Sequence, residues 1–255
     1  MAVQKGKSAT RAKNKYNAQN YDNIRVVVPK GQKSNIMTVA ESAGDSLNGF
    51  ISKAIEEYTI NYRRSLKKVY TIIGGVNGTG KSSFTGANKY DNINSGVIID
   101  VDKITALNKV FPIEGGKIAI DCINNCLEEG LSFTQETTLA GHKTENTAAR
   151  ARELGYFICL NYIGLDTPEE CLKRIYNRVA RGGHSIGEVD VRRRFAERWI
   201  AVKRILPFCD EAAFYDNDNG FVKVAELHDK TLILTEEKHP TWIIELSDYL
   251  KRNKL

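Results

Sequence analysis

The sequence predicts an α/β fold, a mostly parallel sheet with helices on both faces, preceded by a small strand-helix-helix module. One repeating pattern predicts the sheet. From residue 69 onward, short apolar runs alternate with helical patterns, which is the order of a parallel sheet with crossover helices. The predicted strands are 69–73, 97–99, 131–134, 157–162, 212–215 and 231–234, and the predicted helices are 81–89, 117–129, 143–155, 167–180, 188–206 and 241–252.

Composition places the chain among soluble cytoplasmic proteins. Its 255 residues include five cysteines, an odd number without a Cys-x-x-Cys pair, so we expect reduced thiols. No apolar run approaches the roughly 20 residues that a membrane span requires. Residues 1–20 lack the apolar stretch of a signal peptide. The expectation is a cytoplasmic protein with no membrane partner.

Positive charge is concentrated before the sheet. Residues 1–69 contain 13 Lys and Arg against 5 Asp and Glu, whereas residues 70–255 contain 24 against 26. A basic segment on a near-neutral body indicates a polyanionic partner for that segment alone. Residues 1–20 are predicted to be a basic flexible tail, with a merely solvated tail as the alternative.

Residues 21–58 read as one strand and two helices. Ile24, Val26 and Val28 alternate with other residues and stop at a proline, which predicts a short strand. A helical pattern follows over 34–43 and ends at Gly44, and Ser46 is placed to cap a second helix. A unit this small cannot bury its own apolar faces, so we expect a homodimer through residues 21–58.

The turn at residues 44–51, Gly-Asp-Ser-Leu-Asn-Gly-Phe-Ile, resembles the turn into the second helix of ribbon-helix-helix DNA-binding proteins of the Arc/MetJ type. The resemblance implies an antiparallel ribbon in the major groove of a DNA operator. By position, Asn23, Arg25 and Val27 would face the bases, while the amides of Ser46 and Leu47 would hold a phosphate. A ribbon that only dimerises is the alternative.

A phosphate-binding loop opens the main domain, residues 70–255, after a linker at 59–69. An apolar strand, then Gly-x4-Gly-Lys-Ser, then a helix is the context of a P-loop, whose amides surround phosphate oxygens. Lys81 would reach the β- and γ-phosphates, and Ser82 would be the ligand of Mg²⁺. The predicted cofactors are ATP and Mg²⁺. The predicted ATP-binding residues are Gly75, Val76, Asn77, Gly78, Thr79, Gly80, Lys81, Ser82 and Ser83.

Acidic residues follow the next two strands. Because the carboxyl end of a strand beside a P-loop faces the γ-phosphate, Asp102 is placed to take the proton of an attacking hydroxyl. Asp100 would cap the following turn or organise water around magnesium, and it is counted with Glu136 and Thr138 among the predicted substrate-binding residues. Glu136 and Thr138, after the third strand, would bind substrate hydroxyls or a magnesium water. Residues 118–121 resemble the acidic end of the strand that binds the metal in P-loop proteins. They lie in a helical pattern, so we do not assign them that role.

An arginine-rich segment with a glycine hinge lies between two predicted helices. Kinases need cations that close over the transferring phosphoryl group and exclude water. We predict that Arg178 and Arg181 do this, with Arg193 or Arg194 as a third, and that His184 packs in this lid.

Five segments together resemble the zeta-toxin family of P-loop kinases, in its compact branch. These are residues 75–82, 99–102, 136–139, 178–184 and 192–195. The resemblance implies phosphorylation of the sugar 3′-hydroxyl of UDP-N-acetylglucosamine, restrained by an antitoxin. It makes Asp102 the base, Glu136 and Thr138 substrate ligands, and Arg178 and Arg181 the lid.

The sequence differs from the better-known members of this family at two places where the acceptor would bind. The lid contains Gly-Gly-His, and Glu136 is followed by Thr-Thr-Leu rather than Gly-Thr-Gly. The two resemblances combine into a toxin-like kinase fused to an antitoxin-like module. A kinase for another acceptor, and a DNA-binding autorepressor whose P-loop only senses nucleotide, remain the alternatives.

Overall fold

A computed structural model divides the chain into two compact units, Met1–Ile60 and Asn61–Leu255. Each is described by itself below. The structure describes residues 24–66, 68–90, 95–182, 185–228, 231–235 and 239–253.

Two helices make up the described part of the first unit. Helix α1 covers Gln32–Ser42, and helix α2 covers Leu47–Leu66 and so continues past the end of this unit at Ile60. Gly44 has a φ of 71° and its amide bonds to the Glu41 carbonyl, while the Asp45 amide bonds to the Ala40 carbonyl. This is a Schellman ending, in which the left-handed residue favours glycine. Ser46 Oγ accepts the Gly49 amide at 3.1 Å, so the predicted cap of the second helix is confirmed.

The predicted strand over Ile24–Val28 is not formed in the single chain, since residues 24–29 have neither helical nor strand structure. A ribbon strand makes its hydrogen bonds to a strand of a second chain, and one chain alone provides no such partner. Ile24, Val26 and Val27 remain 75%, 51% and 78% exposed. Asn23 and the predicted tail lie outside the described residues.

The second unit contains a seven-stranded sheet in the order β2-β3-β1-β4-β5-β6-β7. The strands from β2 to β5 in this order are parallel, and β6 and β7 add an antiparallel edge. The strands are β1 Val69–Gly74, β2 Val97–Asp100, β3 Phe133–Thr137, β4 Phe157–Gly164, β5 Glu211–Asp216, β6 Val222–His228 and β7 Thr231–Leu234.

Eight further α-helices among the described residues flank this sheet, and none of the described helices is long and apolar enough to cross a membrane. The predicted helix 188–206 is two helices that meet at Glu197. The helices are α3 Lys81–Tyr90, α4 Val101–Asn108, α5 Pro112–Glu129, α6 Lys143–Glu153, α7 Pro168–Ala180, α8 Glu188–Ala196, α9 Arg198–Ile205 and α10 Thr241–Arg252. Helix α4 and strand β6 are absent from the sequence prediction.

Strand β1 is the middle one of the five parallel strands and is covered on both faces. This is why Tyr70, Ile72 and Ile73 form a nearly continuous apolar run rather than an alternating one. Tyr70 stacks on Phe133 of β3 with ring centroids 4.4 Å apart. The packed central strands therefore support the loop that follows β1.

Helix α10 is fixed to the sheet by Trp242, which is fully buried. Its ring covers Gly164 at the end of β4, where an added Cβ would lie 2.4 Å from a ring atom. Its indole N–H donates to Asp216 Oδ1 at 2.8 Å, and its backbone amide donates to Asp166 Oδ1 at 2.8 Å. Trp242 thus joins the carboxyl ends of β4 and β5.

Replacing Trp242 by alanine should lower the free energy of unfolding by about 3–5 kcal/mol, because it leaves a large cavity and removes the hydrogen bond to Asp216 Oδ1. Urea unfolding followed by circular dichroism measures this. Ile244→Ala is the matched control, since that side chain of the same helix is 40% exposed and should cost less than about 1 kcal/mol. Equal losses for both variants would contradict the anchoring role.

Candidate active site

The loop of residues 75–80 connects β1 to the first residue of α3, Lys81. Gly75, Gly78 and Gly80 all have positive φ, at 147°, 88° and 98°. At Gly78 a Cβ would lie 2.4 Å from the carbonyl oxygen of Cys171, so both the backbone angle and the space require glycine. The predicted P-loop geometry is present.

Polar contacts brace the loop from inside and from β5. Thr79 Oγ1 donates to the Val76 carbonyl at 2.9 Å, and Asn217 Nδ2 donates to the Thr79 carbonyl at 2.8 Å. Arg174 in turn donates to the Asn217 carbonyl at 2.6 Å. Sequence reasoning missed Asn217. Its only signal in the sequence is that it lies two residues after the predicted strand 212–215.

Lys81 turns its ammonium into the loop, where Nζ donates to the carbonyls of Gly75 at 2.8 Å and Val76 at 3.0 Å. Burial lowers the pKa of Lys81 to about 8, against the opposing attraction of Glu136, Asp102 and Asp100. The Lys81 side chain is half-buried. Its ammonium can exchange the contacts with these two carbonyls for contacts with phosphate oxygens.

Two buried carboxylates lie beside the loop. Asp100 and Glu136 occupy matching positions in β2 and β3, and both are less than a tenth exposed. Ser82 Oγ donates to Glu136 Oε2 at 2.6 Å and lies 3.3 Å from Asp100 Oδ2. Asp100 Oδ1 also caps α4 by accepting the amides of Asp102 and Lys103. The predicted capping role of Asp100 is confirmed.

These three side chains fit a magnesium ion. Mg²⁺ is usually held by one or two carboxylates, retained waters and the phosphates of a substrate. Ser82, Asp100 and Glu136 supply a hydroxyl and two carboxylates, and Glu136 Oε1 is buried without a hydrogen-bond partner among the described residues. No cluster of three or more His, Cys, Asp or Glu side chains suited to a metal occurs in the described part of the chain.

Asp102 lies in the first turn of α4, with an exposed side chain. Its negative charge opposes the lowering of the Lys81 pKa, so the two groups lie within electrostatic range of each other. Thr138 is half-buried in the turn after β3. That turn is fixed by the Leu139 amide, which donates to Thr137 Oγ1 at 3.0 Å. Residues 118–121 lie within α5, as predicted.

Most arginines of the lid segment have structural partners. Arg192 pairs with Glu169 and Glu188, and Arg193 pairs with Asp190 and Glu197. Arg193 makes its two ion pairs on the exposed face of α8, and its role as a third phosphate ligand stays a prediction.

Arg194 instead points to the phosphate loop. Its Nη1 donates to Asn77 Oδ1 at 2.5 Å, and its Nε is buried without a hydrogen-bond partner among the described residues. The alternative that named Arg194 therefore has a contact with the P-loop to support it.

Arg178 and Arg181 line a cleft of about 470 Å³ at the end of α7, together with Arg174, Asn177 and Gly182. Through Arg174 and Asn217 this cleft is joined to the P-loop. His184 lies outside the described residues. The arrangement provides a positively charged cleft beside a phosphate loop and an acidic pair.

ATP affinity should be steady below about pH 8 and fall by up to roughly tenfold per pH unit above it, because neutral Lys81 must then take up a proton to meet the phosphates. Titration calorimetry between pH 7.5 and 9.5 measures this. Lys81→Arg, whose guanidinium stays charged, should bind with a flat pH profile. A wild-type profile as flat as that of the arginine variant would contradict the assignment.

No family model matches the chain. Similar solved structures include a chain of the PezAT chromosomal toxin-antitoxin system of Streptococcus pneumoniae, with 16% identity, a TM-score of 0.51, and coverage of 73% of this chain and 85% of that one. A structure of AvrRxo1-ORF1:AvrRxo1-ORF2 with sulphate ions matches with 16% identity and a TM-score of 0.53.

The same AvrRxo1 complex with ATP matches with 15% identity and a TM-score of 0.50. In both AvrRxo1 matches 71% of this chain is covered, and the chain spans 64% of the length of its counterpart. At these identities the matches establish the fold, so the predicted P-loop kinase-like α/β architecture is confirmed.

An uncharacterized protein of Haemophilus influenzae is 35% identical over 126 residues, which are 48% of this chain and 88% of that protein. This chain and the Haemophilus influenzae protein therefore belong to one family.

Proposed function

We propose that the protein is an ATP-dependent kinase that phosphorylates the sugar 3′-hydroxyl of UDP-N-acetylglucosamine or a related UDP-sugar. The observation that carries the proposal is that three acidic groups beside the P-loop lie within contact or electrostatic range of the Lys81 ammonium and Ser82. These are the carboxylates of Asp100, Glu136 and Asp102. A loop that only senses nucleotide has no need of a carboxylate base there.

ATP binding is supported by the loop and by the neighbours. Glycines with positive φ leave the backbone amides free to surround phosphates, and α3 adds the positive end of its dipole. One of the structural neighbours is a complex with ATP. In the proposed mechanism Lys81 holds the β- and γ-phosphates, and Arg178, Arg181 and Arg194 compensate charge on the transferring group.

When bound, Mg²⁺ would neutralise phosphate charge, held by Ser82, Asp100 and Glu136. The contacts support this role for Asp100 and Glu136 more than direct binding of a substrate. Asp100 is occupied by the cap of α4, and Glu136 accepts from Ser82. Thr138 then remains the predicted ligand of acceptor hydroxyls after β3.

Asp102 is proposed as the base because it is exposed, fixed in the first turn of a helix and close enough to interact with Lys81. Its carboxylate accepts the proton of the acceptor hydroxyl as the oxygen attacks the γ-phosphorus and the bond to the leaving ADP oxygen breaks. The UDP-sugar acceptor rests on the zeta-toxin resemblance. A kinase for another small hydroxyl compound is the alternative.

Asp102→Asn should lower phosphoryl transfer by roughly 100- to 10,000-fold while leaving ATP affinity within about threefold, because only the base is removed. Lys81→Ala should abolish transfer and weaken ATP binding. Mass spectrometry of ATP with UDP-N-acetylglucosamine, other UDP-sugars and small metabolites measures both.

Asp121→Asn is the matched control, since this exposed aspartate lies on α5 and should leave transfer unchanged. If wild-type protein modifies UDP-N-acetylglucosamine, the substrate proposal stands. If it modifies another acceptor, only the substrate is wrong. If every acceptor stays unmodified, the kinase mechanism fails and the nucleotide-sensing repressor takes its place.

We also propose that residues 21–58 form a homodimer that binds a DNA operator through Asn23, Arg25 and Val27. The apolar side chains Ile24, Val26 and Val27 are all more than half exposed in one chain, which is costly unless a second chain covers part of them. The excess of Lys and Arg before residue 69 favours a polyanion. In a paired ribbon Val26 would face inward and Val27 would face the DNA.

Val26→Asp should therefore convert the dimer to a monomer, and Val27→Asp should leave the dimer intact while weakening DNA binding by tenfold or more through charge repulsion. Sedimentation velocity measures the first effect, and mobility shift with the chain's own promoter DNA measures the second. A dimer that survives both substitutions would show that another surface joins the chains. If wild-type protein fails to shift any promoter fragment, the module only dimerises.

A further inference from the structure

The ammonium of Lys103 lies against the two buried carboxylates of the site. Its Nζ is 3.3 Å from Asp100 Oδ2 and 3.7 Å from Glu136 Oε1. The two acidic side chains are 7% and 4% exposed, whereas that of Lys103 is 53% exposed. Lys103 therefore reaches inward from solvent to offset part of the cost of burying two negative charges.

The two carboxylate oxygens of Asp100 make different contacts. Oδ1 accepts the backbone amides of Asp102 and Lys103 at 3.0 and 3.3 Å, which holds the start of α4. Oδ2 faces Lys103 Nζ and Ser82 Oγ. The backbone of Lys103 is thus fixed by one oxygen while its side chain meets the other, so the side chain can leave without loss of the helix cap.

Glu136 is only partly satisfied in this arrangement. Its Oε2 accepts from Ser82 at 2.6 Å, but Oε1 is buried without a hydrogen-bond partner among the described residues. At 3.7 Å Lys103 compensates Oε1 by charge alone. A buried carboxylate oxygen in this state is an open ligand position for a divalent cation.

We infer that Lys103 is a tethered cation that occupies the divalent-cation site of the nucleotide-free protein and is displaced when Mg²⁺ arrives with ATP. The inference rests on the proposed function, which places Mg²⁺ at Ser82, Asp100 and Glu136. An ammonium and a divalent ion repel each other, so they do not share the same oxygens. The flexible, half-exposed stem of Lys103 lets the ammonium withdraw to water.

Displacement makes free metal bind weakly, because each ion must first remove a cation that the protein supplies. Metal bound to ATP brings phosphate ligands of its own, which offset that cost. Lys103 thus couples the binding of the metal to the binding of the nucleotide.

The test is the affinity of the nucleotide-free, full-length protein for Mn²⁺, measured by electron paramagnetic resonance of the unbound ion. Lys103→Met should bind Mn²⁺ roughly five- to tenfold more tightly than wild type, because the competing charge is gone. Lys103→Arg should stay within about twofold of wild type, since it keeps the charge. Lys117→Met removes the same charge from an exposed position on α5 and should also stay within about twofold.

Mn²⁺ affinity that is unchanged or weaker in Lys103→Met would overturn the inference, as would an equal gain in Lys117→Met. Adding Glu136→Gln to Lys103→Met should remove the gain, and its persistence would show that the ion binds elsewhere. Circular dichroism checks folding, and Lys103→Gln replaces the methionine variant if that one does not fold. Because ATP and acceptor are absent, the result does not depend on whether the protein proves to be a kinase.

Discussion

Strands β2, β3, β1, β4 and β5 run in one direction, and this places their carboxyl ends along one edge of the sheet. The phosphate loop, the cap of α4, Glu136 and Asn217 all lie at that edge. The pairing register of a parallel sheet fixes where each strand ends relative to its neighbours. A small shift of register would therefore separate these groups. The rest of the site depends on this alignment.

The site is held at some cost to stability. Asp100 and Glu136 are buried as a pair, and Lys81 is kept among carbonyls where burial lowers its pKa. A phosphate can replace the carbonyl partners of Lys81, and a metal ion can replace the partners of the two carboxylates. The chemistry is preorganised because a ligand relieves unfavourable burial rather than creating it. The buried Nε of Arg194 belongs to the same pattern.

The sequence was sufficient to predict the parallel sheet and the phosphate loop, because apolar runs and glycine spacing are local signals. The cap at Asp100 was one of two roles that its position at the end of a strand suggested, the other being the organisation of water around magnesium. Arg193 and Arg194 could not be told apart, because adjacent helix positions differ by about 100° of rotation and only packing selects the inward one. Asn217 was missed because its partner, Thr79, is distant in sequence. The strand over Ile24–Val28 has a clear pattern, but a strand pattern does not supply the second strand that pairing requires.

The contacts of Trp242 also connect helix α10 to the neighbourhood of the phosphate loop. The indole holds Asp216, and the next residue, Asn217, holds the carbonyl of Thr79 in the phosphate loop. Residues 75–80 leave the ribosome long before Trp242 does, and until then the ends of β4 and β5 are uncovered. A chain that lacks α10 has the complete P-loop sequence but not the contact between Trp242 and Asp216, the residue next to the brace at Asn217.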